Sequence, residues 1–255
     1  MPTITIDRRY RGPRESGNGG YAAGLLAQEF CGGVEVTLRK PPPLDRRLAV
    51  VRDAGRAFLL DGEELVAEAR PMEPALEPPE PPTEAEVVAA AAAATRWETP
   101  DFADCFVCGT RGDGSGLEIH PGPVPGRDGI VAATWIAREV SPEVVWAAID
   151  CPGAYAVADP GTTEPLLGRM TARVDRLPRE GEHCVVVAWP LGAEGRKLHA
   201  GTALYADDAT ALAVARQVWI LPRGLTTLVL NQHKRSSSPQ FVRGVSATSR
   251  PPSSS

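Results

Sequence analysis

The chain has 255 residues, of which 43% are hydrophobic and 23% are charged, so it can bury the core of one large domain or two small ones. The net charge is −5 and the arginines are scattered, which excludes the basic stripe of a nucleic-acid-binding protein. No apolar run approaches the length of a membrane span. The first residues of the sequence resemble neither a secretory signal nor a transit peptide, and the five cysteines are irregularly spaced. Together these features predict a cytoplasmic protein with free thiols.

The first part of the chain is predicted to form one helix followed by several strands. The apolar segment GGYAAGLLAQEF, residues 19–30, predicts the helix, and four runs between residues 34 and 70 predict the strands. A Pro/Glu-rich segment that begins at Pro71 predicts an extended, fairly stiff linker. The alanine run that follows it, with glutamates in its first turn, predicts a short helix.

The second part repeats this plan. Ser141 as N-cap and Pro142 in the first turn predict the start of a helix, and four further runs up to residue 221 predict strands. The ends of the two parts align without gaps, since Asp61 and Asp207 are separated by the same 146 residues as Arg70 and Arg216. We therefore predict an internal duplication, with chance similarity between Val/Ala-rich strands as the alternative.

Both predicted helices are apolar almost all round, which is typical of a helix that protein surrounds on most sides. The segments NGGYAAGLL, PPPLDRRL, DCFVCGTRGDGSGL, WAAIDCPGAYA and ALAVARQVWIL resemble the double hot-dog proteins of the acyl-CoA thioesterase superfamily. The resemblance covers most of residues 1–222. It implies an α+β fold of two fused hot-dog domains, each an antiparallel sheet wrapped around a central helix.

The predicted domain boundaries follow from this resemblance and from composition. They are an N-terminal hot-dog domain (1–72), a linker with a short helix and a CxxC turn (73–110), a C-terminal hot-dog domain (111–224) and a disordered, Ser/Pro-rich tail (225–255).

Asp150 is the one charged residue in the apolar stretch 144–154. A buried carboxylate needs partners, because leaving it unpaired costs several kcal/mol. One interpretation is structural: Pro152 cannot lie inside a helix, so Asp150 would cap a second helical piece and accept a backbone N–H from Gly153 or Ala154. A catalytic role is compatible with this one, since a capped carboxylate is held ionised and oriented.

The resemblance implies a catalytic set for thioester hydrolysis. Asp150 on the second helix, Thr171 on the next strand and Gln217 on the last strand would orient and activate the attacking water. The oxyanion donors would be backbone N–H groups near Gly153. The first half lacks such residues, since Leu25 aligns with Asp150 and Pro71 aligns with Gln217.

Substrate binding is predicted in a groove between the two halves, where the pantetheine arm of coenzyme A would lie. Arginines suit its phosphates, and the acyl chain would occupy an apolar tunnel beside the second helix. The candidate substrate contacts are Trp146, Arg169 and Arg196.

The motif CFVCG contains Cys105 and Cys108. A structural zinc needs four ligands, and Cys151 and His120 could supply the other two, although their spacing does not require it. A buried turn between the linker and the second domain is the favoured interpretation, so neither a metal nor another cofactor is predicted.

The function predicted from the sequence is hydrolysis of an acyl-CoA or another acyl thioester by a monomer or homodimer that binds neither nucleic acid nor membrane. One alternative is a non-catalytic acyl-thioester-binding protein in which Asp150 is only a cap. Another is a hot-dog dehydratase or hydratase, but these enzymes normally need a histidine with the acid, and the predicted helices contain none.

Overall fold

A computed structural model describes residues 1–97, 99–160 and 164–222 of the chain. The predicted tail lies outside these residues. The helices are α1 (Gly19–Ala27), α2 (Glu84–Ala92), α3 (Pro142–Ala148) and α4 (Cys151–Val157). The strands are β1 (Thr3–Thr5), β2 (Val34–Leu38), β3 (Arg47–Asp53), β4 (Arg56–Asp61), β5 (Glu64–Pro71), β6 (Gly122–Pro123), β7 (Val131–Ile136), β8 (Leu166–Val174), β9 (His183–Glu194), β10 (Lys197–Tyr205) and β11 (Ala211–Ile220).

All of these strands join one antiparallel sheet in the order β1-β3-β4-β5-β2-β8-β11-β10-β9-β7-β6. The two halves have the same topology, because β1-β3-β4-β5-β2 in the first half corresponds to β7-β9-β10-β11-β8 in the second. The halves meet where β2 pairs with β8, and Glu35 lies directly opposite Thr171 in that pair. The same topology in both halves accords with an internal duplication, which stays a prediction, as do the domain boundaries.

The helices α1 and α3 pack closely against each other because α1 carries two glycines one turn apart. A Cβ atom on Gly20 would lie 2.5 Å from the Cβ of Asp150, and one on Gly24 would lie 2.6 Å from the Cα of Glu143. Both glycines are therefore needed for this approach. Almost every residue of α1, α3 and α4 is buried, as the all-round apolar pattern predicts.

The linker after β5 contains the predicted short helix, α2. Thr83 and Glu86 form a capping box at its start, and Arg127 pairs with Glu86 at 3.0 Å, which attaches the helix to the second half. The first predicted helix is shorter than its apolar pattern and ends at Ala27. None of the helices in the described ranges is long and apolar enough to cross a membrane.

Candidate active site

A mostly apolar cleft of about 540 Å³ opens between the two halves of the molecule. Its walls come from residues 38–42 after β2 and from residues 165–168 at the start of β8. Polar groups enter it from the helices, because Asn18 and Gly19 at the start of α1 and Asp150 between α3 and α4 line it. A cleft of this size and composition is typical of a small-molecule site.

Asp150 occupies the N-cap position of α4, but its side chain does not cap that helix. Carboxylate oxygen Oδ2 instead accepts a hydrogen bond of 2.8 Å from the backbone N–H of Gly20 in the first turn of α1. The predicted cap bond to Gly153 or Ala154 is therefore wrong. The N–H of Gly153 donates to the backbone carbonyl of Asp150 at 3.0 Å and does not bind its carboxylate. The carboxylate binds α1, in the other half of the molecule.

The carboxyl group of Asp150 is only 2% exposed. Burial raises its pKa to about 7, although the Gly20 N–H and the Asn18 side chain act in the opposite direction. Its second oxygen, Oδ1, is buried and has no hydrogen-bond partner among the described residues. A carboxyl that titrates near neutral pH and has an unused oxygen beside a cleft is suited to proton transfer.

Gln217 is completely buried and fixes the backbone next to Asp150. Its Nε2 donates to the carbonyls of Ile149 and Asp150 at 2.6 and 3.1 Å, and its Oε1 accepts from Trp219 Nε1 at 2.9 Å. Both amide hydrogens are used in these bonds. Gln217 thus positions Asp150 and does not have a free N–H for a water molecule.

Thr202 is a positioning residue that the sequence analysis missed. Its hydroxyl is buried on β10 and donates to the Ile149 carbonyl at 2.8 Å, which gives the junction of α3 and α4 a second support. The available signal was a threonine in the mostly apolar run AGTAL, residues 200–204, and a buried hydroxyl needs a partner.

Thr171 lies on the opposite face of the sheet from Asp150. Met170 pairs directly with Gln217 on the helix-facing side, so the next residue, Thr171, points to the outer side with its partner Arg216, which is exposed. The structure therefore does not bring Thr171 to the predicted catalytic set.

No protein-family model and no curated protein matches the chain. Several solved structures do match it. A protein with a hot-dog fold from Alicyclobacillus acidocaldarius superposes with a TM-score of 0.57 and 13% identity, covering 86% of this chain and 92% of that one. This chain has the double hot-dog fold. The fold resemblance predicted from the sequence is thereby confirmed.

Two further structures that match over most of both chains are named as thioesterases. A provisionally assigned thioesterase from Novosphingobium aromaticivorans has a TM-score of 0.57 and 15% identity, over 86% of this chain and 94% of that one. An acyl-CoA thioesterase II from Mycobacterium marinum has a TM-score of 0.55 and 10% identity, over 86% and 92% of the two chains.

The remaining predicted site residues of this double hot-dog protein do not line the cleft. Trp146 is buried in α3 against Gly24 of α1. Arg169 lies on the outer face, where it donates to Thr37 at 3.0 Å, and Arg196 donates to the carbonyl of Leu221 at 2.7 Å. Gly153 uses its N–H within the α4 turn, so it is not free to bind an oxyanion.

Three cysteines meet beside Asp150. The sulfur atoms of Cys105, Cys108 and Cys151 all lie within 4.8 Å of one another, and all three side chains are buried. Cys105 and Cys151 also line the cleft. His120 does not complete the group, since its Nε2 lies 3.1 Å from the backbone carbonyl of Cys108. Hydrogen bonds from the neighbouring thiols lower the pKa of Cys105 well below its ordinary value.

Proposed function

We propose that this double hot-dog protein hydrolyses an acyl thioester in the cleft between its halves, with Asp150 as the general base. The observation that carries the proposal is the buried Oδ1 of Asp150, which has no protein partner among the described residues and belongs to a residue that lines the cleft. The Oδ2 atom is held by Gly20, so the carboxylate is fixed and one oxygen remains for a water molecule.

The proposed reaction begins with a water molecule hydrogen-bonded to Oδ1 of Asp150. Its oxygen attacks the thioester carbonyl carbon while Asp150 takes its proton, and the carbonyl oxygen becomes a tetrahedral oxyanion. Collapse of this intermediate breaks the carbon–sulfur bond, and the proton on Asp150 passes to the leaving sulfur. The products are a carboxylic acid and a thiol, and Asp150 returns to its carboxylate form.

The oxyanion requires nearby hydrogen-bond donors or partial positive charge. The first turn of α1 supplies partial positive charge to the cleft. Asn18 and Gly19 line the cleft at the start of this helix, and the N-terminus of a helix is electropositive. In the proposal this turn takes the role predicted for Gly153. Gln217 and Thr202 act as positioning residues that hold the Asp150 backbone.

Coenzyme A is the proposed carrier of the acyl group, and the fold match to an acyl-CoA thioesterase II supports this choice. Two cationic side chains, Arg39 and Lys40, line the cleft and replace Arg169 and Arg196 as candidates for the phosphates. Lys40 is paired with Glu64, which is largely exposed, so that pair can exchange for a phosphate at little cost. A cytoplasmic monomer or homodimer stays the prediction for location and assembly.

A non-catalytic acyl-thioester-binding protein is the second candidate, and the hydrogen bond from Gly20 to Asp150 favours it, because that bond alone gives the carboxylate a structural role at the start of α1. A dehydratase or hydratase is less suitable, since α1, α3 and α4 contain no histidine.

The test is thiol release from short, medium, long and aromatic acyl-CoAs by the wild type and by Asp150→Asn. The asparagine keeps an oxygen that can accept from Gly20 but cannot act as the base. We expect at least one substrate that the wild type hydrolyses and that the variant processes about 10²-fold more slowly, the scale of a lost general base. A thermal melt of both proteins controls for folding. Equal turnover by the two proteins would show that Asp150 is not the base, and no turnover by the wild type on any substrate would favour the binding protein.

A further inference from the structure

We infer that Cys105, Cys108 and Cys151 bind one thiophilic d¹⁰ metal ion, Zn²⁺ or Cu⁺, through three thiolates. This inference goes beyond the proposed hydrolysis and does not depend on it. The three cysteines come from two distant parts of the chain, and none of them forms a disulfide. The inferred metal site differs from the prediction made from the sequence, which was a buried turn without a metal.

The distance between the sulfur atoms fits a common metal ion. With a Zn–S bond of about 2.3 Å, two thiolates of a tetrahedral zinc site lie about 3.8 Å apart. The sulfurs of Cys105 and Cys151 are 3.8 Å apart, and all three sulfurs lie within 4.8 Å of one another. Small side-chain rotations would therefore bring the trio to one ion without moving the backbone.

The turn that carries Cys105 and Cys108 is also suited to present two ligands to one ion. It brings the sulfur atoms of these two cysteines within 4.8 Å of each other. The N–H of Gly109 closes the turn on the carbonyl of Cys105 at 3.0 Å. A Cβ atom on Gly109 would lie 2.5 Å from the nitrogen of Cys105, so this tight turn requires a glycine.

The third sulfur is held from the other half of the molecule. Asn18, the N-cap of α1, places its Nδ2 3.7 Å from the sulfur of Cys151, and its Oδ1 accepts from the N–H of Tyr21 at 2.8 Å. Asn18 thus fixes the orientation of Cys151 in the way that an outer hydrogen-bond partner supports a metal ligand.

Three thiolates satisfy Cu⁺, whereas Zn²⁺ prefers four ligands and has one position left. Cys105 and Cys151 border the cleft, and all three side chains are buried. The metal site accounts together for the tight turn at Gly109, the three sulfurs within 4.8 Å of one another and the contact of Asn18 with Cys151.

The experiment measures metal binding by the full chain, purified and reduced without oxygen. Metal content is determined by mass spectrometry after dialysis against Zn²⁺, and Zn²⁺ and Cu⁺ affinities come from competition with chromophoric chelators selective for each ion. We expect one metal ion per chain and a loss of affinity of about 100-fold or more on Cys105→Ser, Cys108→Ser or Cys151→Ser. A lost ligand should matter at least as much as a lost outer partner, which costs 10- to 100-fold.

The matched controls are Cys31→Ser and Cys184→Ser, which remove thiols outside the trio and should leave affinity unchanged. If a trio variant fails to fold, Co²⁺ binding to the wild type decides instead, because thiolate ligation gives intense charge-transfer absorption in the near ultraviolet. The inference is overturned if neither Zn²⁺ nor Cu⁺ binds to protein whose five thiols are reduced, or if Co²⁺ binds without that absorption. Neither result bears on thioester hydrolysis, which the Asp150→Asn assay tests separately.

Discussion

The two halves of the molecule share one topology but differ at the end of the central helix. In the first half α1 continues past Leu25 without a break and ends at Ala27. In the second half the helix is interrupted at Ile149 and Asp150, and Gln217 and Thr202 hold the interruption by hydrogen bonds to the Ile149 carbonyl. Pro152 cannot continue a helix, and buried polar side chains on two strands hold the resulting break, which presents a carboxylate.

The first half nevertheless contributes to the site in the second. Asp150 is held by Gly20, and Asn18 contacts Cys151, so the start of α1 completes a site whose acid belongs to the other half. An isolated half would leave this carboxylate without its partner. The two halves therefore share a topology but supply different parts of the site between them. The second half supplies the carboxylate, and the first half supplies the start of α1 that binds it.

The largest effect in this comparison is expected for Gln217→Met. The substitution removes two hydrogen bonds to the helix break and leaves the buried Trp219 N–H without a partner, which should cost about 2–4 kcal/mol of unfolding free energy. The corresponding change in the first half is Pro71→Ala, at an exposed strand end, with an expected effect within about 0.5 kcal/mol. Chemical denaturation measures both. Similar values for the two variants would contradict a special role for the helix break in the second half.

An intermediate effect is expected for Gly20→Ala. The new methyl group would lie 2.5 Å from the Cβ of Asp150 and 2.6 Å from the carbonyl oxygen of Trp146, so α1 and α3 must separate at a cost of about 1–3 kcal/mol. The matched control is Gly19→Ala, whose methyl group would meet side-chain atoms of Leu38 and Leu167 at 3.0 Å or more.

Thermal and denaturant unfolding distinguish these two variants. A Gly20→Ala protein as stable as Gly19→Ala would show that the close contact between the halves is not required. Thioester hydrolysis should fall in parallel with the stability of Gly20→Ala, because the displaced α1 no longer holds the carboxylate.

The smallest effect is expected for Thr171→Val. Thr171 faces away from the cleft beside Glu35 and Arg216, so kcat and KM for any acyl-CoA that the protein hydrolyses should stay within about twofold of the wild type. In the same assay Asp150→Asn should show the loss of about 10²-fold that is expected for a missing general base. A tenfold fall in kcat for Thr171→Val, with KM and stability unchanged, would restore the catalytic role that the resemblance implied for this residue.

The sequence by itself determined the local elements and the unusual residue. Alternating apolar residues predict strands, and the all-round apolar segments predict the buried helices, because both patterns depend on near neighbours in the chain. The capped start of α3 followed from Ser141 and Pro142. Asp150 could be identified as important because a lone acid in an apolar stretch needs a partner wherever it lies.

Only the tertiary structure decided the partners and the faces. The partner of Asp150 is 130 residues away on α1, and the three cysteines come together from separate segments. For Thr171 the cause is a bulge: Leu167 pairs with Trp219, but Arg169 pairs with Val218, so Gly168 is an extra residue in β8. One extra residue reverses the alternation, which places Met170 beside Gln217 and turns Thr171 to the outer face. Strand periodicity in the sequence cannot show such a bulge, because it arises from pairing with a distant strand.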